Sequence, residues 1–151
     1  MLRSLLLCAV LALAGCGDSS SGDPAKVTYA GSLGVDLAAM NKSESGLYTQ
    51  DLVVGTGKEA VKGSRVQVHY AGWLTDGSMF DNSRARGEAF TFSVGAGQVI
   101  DGWDEGLVGM RAGGKRKLVI PSDLGYGSRG SAPVIPGDAV LVFDVELMNV
   151  Y

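Results

Sequence analysis

An ordered series of aromatic and apolar residues is the part of this sequence that could do chemistry. Its members would line a dry pocket if the fold brought them together, and they are Tyr70, Phe80, Phe90, Val99, Ile100, Trp103, Tyr126 and Phe143. No Ser/His/Asp or Cys/His arrangement, metal-ligand cluster or phosphate-binding glycine loop accompanies them in the sequence. The chemistry must therefore be one that an apolar cavity can accelerate, and rotation about a prolyl amide bond is such a reaction.

Prolyl rotation suits an apolar pocket because its barrier comes from amide resonance. That barrier is about 18 to 20 kcal/mol, and uncatalysed rotation takes roughly tens to hundreds of seconds. The planar ground state is strongly dipolar, whereas the twisted transition state has lost conjugation and needs less solvation. A dry pocket therefore favours the twisted state, and each ~1.4 kcal/mol of difference changes the rate about tenfold.

Several motifs recur in one order at compatible spacings. They read HYAGWLTDG from His69, FDNS from Phe80, VIDGW from Val99, LVIP from Leu118, GYG from Gly125 and LVFDVEL from Leu141. With these motifs the chain, over residues 46–151, closely resembles the FKBP-type peptidyl-prolyl isomerase family. The resemblance implies an α+β fold, in which a strongly bent antiparallel β-sheet wraps around one short α-helix.

The resemblance also assigns roles to individual residues. Trp103 would form the floor beneath the proline ring and Phe80 would close one side, between walls formed by Tyr70, Phe90, Val99, Ile100 and Phe143. The backbone N–H of Ile100 and the hydroxyl of Tyr126 would donate to carbonyls of the bound chain. Asp81 would take a supporting place near Tyr70 at the rim, which Arg86, Val134 and Ile135 complete.

The family resemblance also implies which ligands the chain would bind, and the chain departs from the family pattern at Gln98. Gln98 precedes Val99 where an acidic residue is common in the family. The resemblance implies proline-containing polypeptides as substrates and macrolides of the tacrolimus or rapamycin type as candidate inhibitors. It implies no cofactor and no metal ion.

The pattern of the chain agrees with an α+β domain. Short alternating runs with glycine punctuation from Gly46 onward predict antiparallel strands, and the last run places Leu141, Phe143, Val145 and Leu147 on one face. One helix is predicted by apolar residues at spacings of three and four, namely Ile100, Trp103, Leu107 and Met110. We expect Gly113 and Gly114 to end it, before a strand over Lys115–Ile120.

The first residues predict export. A basic start at Arg3 precedes an apolar run over residues 5–14, which is shorter than the ~20 residues of a membrane-spanning helix. Leu13-Ala14-Gly15-Cys16 resembles the lipobox at which bacterial lipoproteins are lipidated on the cysteine and cleaved just before it. An ordinary cleaved signal peptide is the alternative.

With lipidation the chain divides into a signal peptide over 1–15, a lipidated N-terminus and flexible tether over 16–45, and an isomerase domain over 46–151. The small polar residues after Cys16 favour the tether. Cys8 would leave with the signal, so the mature chain would have no disulfide. Gly17 in place of aspartate favours the outer membrane of a diderm host, with the domain facing the periplasm or the cell surface. Residues 26–45 are too short for a dimerisation domain, so we expect a monomer.

Charge argues against nucleic acid as a partner. Without residues 1–15 the chain has 12 basic and 16 acidic residues, a net charge of −4. We interpret the one basic cluster, Arg111 with residues 115–117, as a solvated strand edge. His69 alternates to the strand face opposite Tyr70, so we interpret it as a structural or solvated residue.

Two functions of different class account for the pocket. The first is an enzyme that accelerates X-Pro rotation in exported proteins without a covalent step. The alternative is a chaperone or adaptor module that binds proline-containing segments, with incidental isomerase activity. A purely structural lipoprotein would leave the pocket residues unexplained.

Overall fold

The computed structural model describes residues 22–151, so the predicted signal peptide and Cys16 lie outside the described part. Seven strands and one α-helix occupy this range: β1 (Asn41–Lys42), β2 (Tyr48–Val53), β3 (Arg65–Leu74), β4 (Met79–Asn82), β5 (Phe90–Ser93), α1 (Asp101–Gly106), β6 (Lys115–Ile120) and β7 (Leu141–Val150). Short 3₁₀ turns lie at Pro24–Lys26, Gly31–Leu33, Leu37–Ala39, Ser122–Leu124 and Gly127–Arg129. Between residues 22 and 151 no helix has the length and hydropathy needed to cross a membrane.

All seven strands belong to one antiparallel sheet. Its order is β1-β2-β6-β7-β3-β4, and β5 pairs with the first half of β3 while β4 pairs with the second half. The central pair, β3 and β7, stays in register from Val66 opposite Val150 to Leu74 opposite Leu141, with one irregularity. One curved, open sheet with a short helix is the α+β architecture that the sequence predicts.

Alternation along the two central strands builds the main core between the sheet and α1. The predicted inward residues of β7 are at most 2% exposed and belong to one cluster with Val66 and Val68 of β3: Leu141, Phe143, Val145 and Leu147. Removing an aliphatic or aromatic side chain of this size from water contributes about 1.5 to 3 kcal/mol. The strand prediction for this face is confirmed.

The helix is shorter than the sequence predicts. It ends at Gly106 with Leu107 as its C-cap, several residues before Gly113. Gly109 then adopts φ +87°, a left-handed conformation that interrupts the helical path. Leu107 and Met110 are nevertheless buried in the main core. The helical spacing of these residues therefore predicted their burial correctly, whereas it overestimated the length of the helix.

Two glycines on one side of α1 let the helix lie close to β6. A Cβ atom on Gly102 would lie 2.6 Å from Ile120 Cγ2, and one on Gly106 would lie 2.9 Å from Leu118 Cδ2. Any larger residue would therefore push the helix away from the sheet. This close approach places the intervening Trp103 within the core, where only 4% of its surface is exposed.

Residues 22–45, which we call the N-terminal strap, cover the other face of the sheet. Leu33 and Met40 pack in a second buried cluster with Val119 and Val142, whose neighbours in sequence face the main core. The strap begins in contact with the domain, since Ser122 N–H donates to Gly22 O at 3.0 Å. The described part of the predicted tether is thus packed on the sheet, while the proposed segment boundaries remain predictions.

A partly buried polar contact within the strap accompanies this packing. The hydroxyl of Tyr29 donates to Pro24 O at 2.8 Å. Desolvation by burial raises the pKa of Tyr29 above its ordinary value, because the charged phenolate would lose its hydration.

Lys117 joins the strap to the sheet through a buried hydrogen bond and forms an ion pair with Asp144 of β7. Its Nζ donates to Leu33 O at 2.7 Å and lies 2.9 Å from Asp144 Oδ1. Lys117 is only 6% exposed, and β6 is an interior strand of the sheet. The interpretation of residues 115–117 as a solvated strand edge is therefore wrong for Lys117, because the strap removes its side chain from water.

Replacing Lys117 tests this connection. Lys117→Met leaves the Asp144 carboxylate without its cation and the carbonyl of Leu33 without its donor. We expect the free energy of unfolding to fall by about 2 to 4 kcal/mol, since removing one partner of a buried pair is strongly destabilising. Denaturant titration followed by circular dichroism measures this loss.

Lys115→Met is the matched control on the same strand and the same face. Lys115 forms no ion pair with any residue in the range 22–151, so we expect a change within about 0.5 kcal/mol. Equal stability of the two variants would show that the buried pair does not hold the strap.

Candidate active site

A half-open cavity of about 200 Å³ lies between the concave face of the sheet and the N-terminus of α1. The eight pocket residues of the sequence analysis and Asp81, which it placed at the rim, all line the cavity together with Gln98: Tyr70, Phe80, Asp81, Phe90, Val99, Ile100, Trp103, Tyr126 and Phe143. The cavity thus gathers residues that lie far apart in sequence.

Five elements and two loops supply the lining. Tyr70 comes from β3 and Phe143 from the neighbouring β7, while β4, β5, α1, the loop before α1 and the connection between β6 and β7 supply the rest. Gly72 of β3 leaves room for two of the rings, because a Cβ atom there would lie 2.7 Å from both Phe143 Cε1 and Phe80 Cζ. Close packing of rings over this glycine forms one wall.

Trp103 forms the floor through edge-to-face contacts. Its ring centroid lies 4.8 Å from that of Tyr70 and 5.4 Å from that of Phe143, at interplanar angles of 84° and 83°. Such arrangements place the positive ring edge against a negative face and stabilise by about 0.5 to 1.5 kcal/mol each. The buried Nε1 of Trp103 has no hydrogen-bond partner within residues 22–151.

Three polar groups form a fixed cluster at one side of the cavity. The Tyr70 hydroxyl donates to Asp81 Oδ2, and the Arg86 guanidinium forms an ion pair with Asp81 Oδ1. Arg86 Nη2 also donates to the Tyr70 hydroxyl at 3.1 Å, and the guanidinium lies 5.7 Å from the centre of the Tyr70 ring. Asp81 is therefore held from both oxygens, near Tyr70 and Arg86 as predicted.

Two hydrogen-bond donors at the cavity remain available. The backbone N–H of Ile100 bonds to no acceptor in the described chain, although its carbonyl accepts from Trp103 N–H at 2.9 Å. The Tyr126 hydroxyl also has no partner among residues 22–151, and Tyr126 is 40% exposed. Both groups lie where a bound chain could accept from them.

Three residues discussed in the sequence analysis lie away from the cavity: Val134 and Ile135, which were predicted at its rim, and His69, which was interpreted as a structural or solvated residue. Val134 is 53% exposed and Ile135 belongs to the main core, and neither lines the cavity. The cavity lining thus includes neither residue, because Ile135 packs into the main core and Val134 projects into solvent. His69 lies away from the cavity, with Nδ1 2.9 Å from the buried Ser83 Oγ.

Sequence reasoning missed two residues. Gln98 lines the cavity and was noted only as a departure from the family pattern. Asp104 has no role in the sequence-based site, yet its carboxylate contacts the loop that forms part of the cavity wall. No periodic pattern signals a contact between a side chain and loop backbone.

Comparison with known proteins agrees with this geometry. A family model described as FKBP-type peptidyl-prolyl cis-trans isomerase matches residues 56–148. An "FK506-binding protein" of Neisseria meningitidis serogroup B is 57% identical over 106 residues, which cover 70% of this chain and 97% of that protein. "Peptidyl-prolyl cis-trans isomerase FKBP2" of Mus musculus is 58% identical over 89 residues, covering 59% and 64% of the two chains.

Solved structures show the same fold. The crystal structure of AtFKBP13 has a TM-score of 0.70 and 44% identity, covering 74% of this chain and 98% of that one. FkpA from Escherichia coli has a TM-score of 0.69 and 46% identity, covering 74% of this chain and 51% of that one. The chain belongs to the FKBP-type peptidyl-prolyl cis-trans isomerase family and is an enzyme of that class.

The wall over Gly72 can be tested by substitution. Gly72→Ala would force Phe80 and Phe143 apart, and overpacking of this kind costs about 1 to 3 kcal/mol of unfolding free energy. Denaturant titration measures the loss. In Gly31→Ala the new Cβ has no neighbour within 4 Å, so we expect a change within about 0.5 kcal/mol. Equal stabilities would contradict the close packing.

Proposed function

We propose that the cavity catalyses rotation about X-Pro bonds by removing the amide from water, without a covalent step. The observation that carries this proposal is the convergence of all nine predicted residues on one small aromatic cavity. A dipolar planar amide loses hydration on entering such a site, whereas the twisted transition state loses less. The aromatic walls therefore stabilise the transition state relative to the ground state, which is the condition for catalysis.

The available donors orient the substrate. With the proline ring on Trp103, Ile100 N–H and the Tyr126 hydroxyl donate to carbonyl oxygens of the bound chain. These two bonds fix the direction of the chain and the register of its proline. Catalysis then needs no proton transfer, because rotation changes no covalent bond.

Asp81 supports the site without acting as a general base. Its two oxygens already accept from Tyr70 and Arg86, so the carboxylate is an anchor for the Tyr70 ring. This ring is also in contact with Trp103. The cluster therefore keeps one wall in place while a substrate enters and leaves.

The same cavity suits FK506-type macrolides. The Neisseria relatives carry the name FK506-binding protein, and this chain has an aromatic floor with two donors directed to the cavity. Binding of such a ligand would compete with the peptide for Trp103, and it therefore serves as a probe of the cavity.

The sequence of the N-terminus supports an exported, lipid-anchored enzyme. Leu13-Ala14-Gly15-Cys16 provides the acylation site, and two or more acyl chains at Cys16 would give stable anchoring, because one chain alone binds membranes marginally. We propose an outer-membrane monomer whose clients are exported proteins that contain proline.

The isomerase proposal is tested with the full-length chain purified in a non-ionic detergent. Proton NMR exchange of a Leu-Pro tetrapeptide should be fast and should be inhibited by FK506. Tyr126→Phe removes one donor and should lower kcat/KM about two- to tenfold, as expected for one hydrogen bond. Phe143→Ala removes a wall and should lose most of the activity.

Tyr151→Phe is the matched control for the hydroxyl. Tyr151 is exposed at the C-terminus and lies outside the cavity lining, so its loss should leave kcat/KM unchanged. A folded wild-type chain that binds the peptide without accelerating exchange would favour the chaperone or adaptor alternative. Full activity in folded Phe143→Ala would exclude that residue as a wall.

The anchor is tested by expression in a diderm bacterium with labelled palmitate. Cys16→Ser should abolish incorporation of label and leave the signal uncleaved by the lipoprotein pathway. Cys8→Ser, also within the N-terminal region, should incorporate label as the wild type does. Unlabelled wild-type protein, or label lost only with Cys8, would reject Cys16 as the lipidated residue.

A further inference from the structure

The loop between β5 and α1 carries part of the cavity wall. It runs over residues 94–100 and contributes Gln98, Val99 and Ile100, including the available Ile100 N–H. Gly95 and Gly97 adopt φ +77° and +72° within this loop. Because glycine has the widest choice of backbone conformations, the loop needs outside contacts to keep one of them.

The carboxylate of Asp104 supplies two such contacts. Gly95 N–H donates to Oδ1 at 2.8 Å, and Gly97 N–H donates to Oδ2 at 3.1 Å. Neither N–H has another acceptor in the described chain. Hydrogen bonds to an ionised carboxylate are shorter and stronger than neutral ones, so one side chain fixes both glycines.

Asp104 also stands next to the floor of the cavity. It follows Trp103 in α1, so the helix that places the indole ring also places the carboxylate. A second contact fastens the loop elsewhere, since Ser93 N–H donates to Gln98 Oε1 at 2.9 Å. The loop is thus tied at Gln98 by its own side chain and at the two glycines by the helix.

We propose that Asp104 is a positioning residue for the isomerase, which holds the 94–100 loop so that Ile100 N–H and the Val99 side chain face the bound proline segment. This inference rests on the proposed function of the cavity. Asp104 itself does not line the cavity and acts through the loop.

The proposal predicts which kinetic constant changes. Without the carboxylate, the loop occupies its binding-competent conformation for only a fraction of the time. The apparent affinity for substrate falls by that fraction, whereas saturating substrate selects the competent loop and restores turnover. A change in folded fraction alone would instead lower kcat and leave KM unaltered.

Asp104→Ala and Asp104→Asn are compared with the wild type, using the full-length chain in a non-ionic detergent and a Leu-Pro tetrapeptide. We expect KM to rise about tenfold in Asp104→Ala, equivalent to ~1.4 kcal/mol, with kcat within about twofold. Asp104→Asn keeps one carbonyl oxygen as acceptor and should show a smaller rise. Amide hydrogen exchange at Gly95 and Gly97 should become faster in both variants.

Glu105→Gln is the matched control. Glu105 is the next residue of α1, and its carboxylate accepts from Ser45, outside the cavity lining. Its KM and the exchange at the two glycines should equal those of the wild type. Unchanged KM in Asp104→Ala, or a fall in kcat alone that follows the folded fraction, would overturn the proposal. An inactive wild type would count against the proposed function, while faster glycine exchange would still report the loop contact.

Discussion

The packing of Trp103 against the two central strands is the contact on which the rest of the structure depends. The indole ring meets Tyr70 of β3 and Phe143 of β7 edge to face, and it is almost fully buried. These strands form the longest pairing in the sheet, so the helix is held against the most rigid part of the fold. The cavity is the space that remains above this contact, between rings that cannot approach more closely.

The absence of side chains at three glycines makes this contact possible. Gly102 and Gly106 bring α1 against β6, and Gly72 admits Phe80 and Phe143 over β3. Aromatic rings then fill the space that side chains at these glycines would occupy. Polar groups outside the apolar floor keep the surrounding walls in position. Arg86 and Asp81 hold the Tyr70 ring, and Asp104 holds the loop before the helix. The site therefore combines a fixed floor and walls with two donors that have no internal partner.

The N-terminal strap extends the fold beyond the family match, which begins at residue 56. On the face of the sheet opposite the main core, Val119 and Val142 belong to a second apolar cluster formed with the strap. Lys117 is buried in the same layer beside the half-buried Asp144, and its ammonium group reaches the strap backbone. Both faces of β6 and β7 are thus removed from water over residues 118–120 and 141–143, which explains why these two stretches are continuously apolar while the rest of each strand carries charged or polar residues.

The sequence alone determined the class of fold and the members of the cavity, because alternation along strands and the order of family motifs are local properties of the chain. Tyr70, Trp103 and Phe143 could be assigned to one site in this way. Other features were decided only by tertiary structure. The helix ends at Gly106, shortly before Gly109 adopts a left-handed backbone, Lys117 is buried because a distant segment covers it, and Ile135 packs into the main core with residues of distant strands. Each of these features depends on contacts between residues far apart in sequence or on a backbone angle. Such contacts and angles leave no periodic pattern in the sequence.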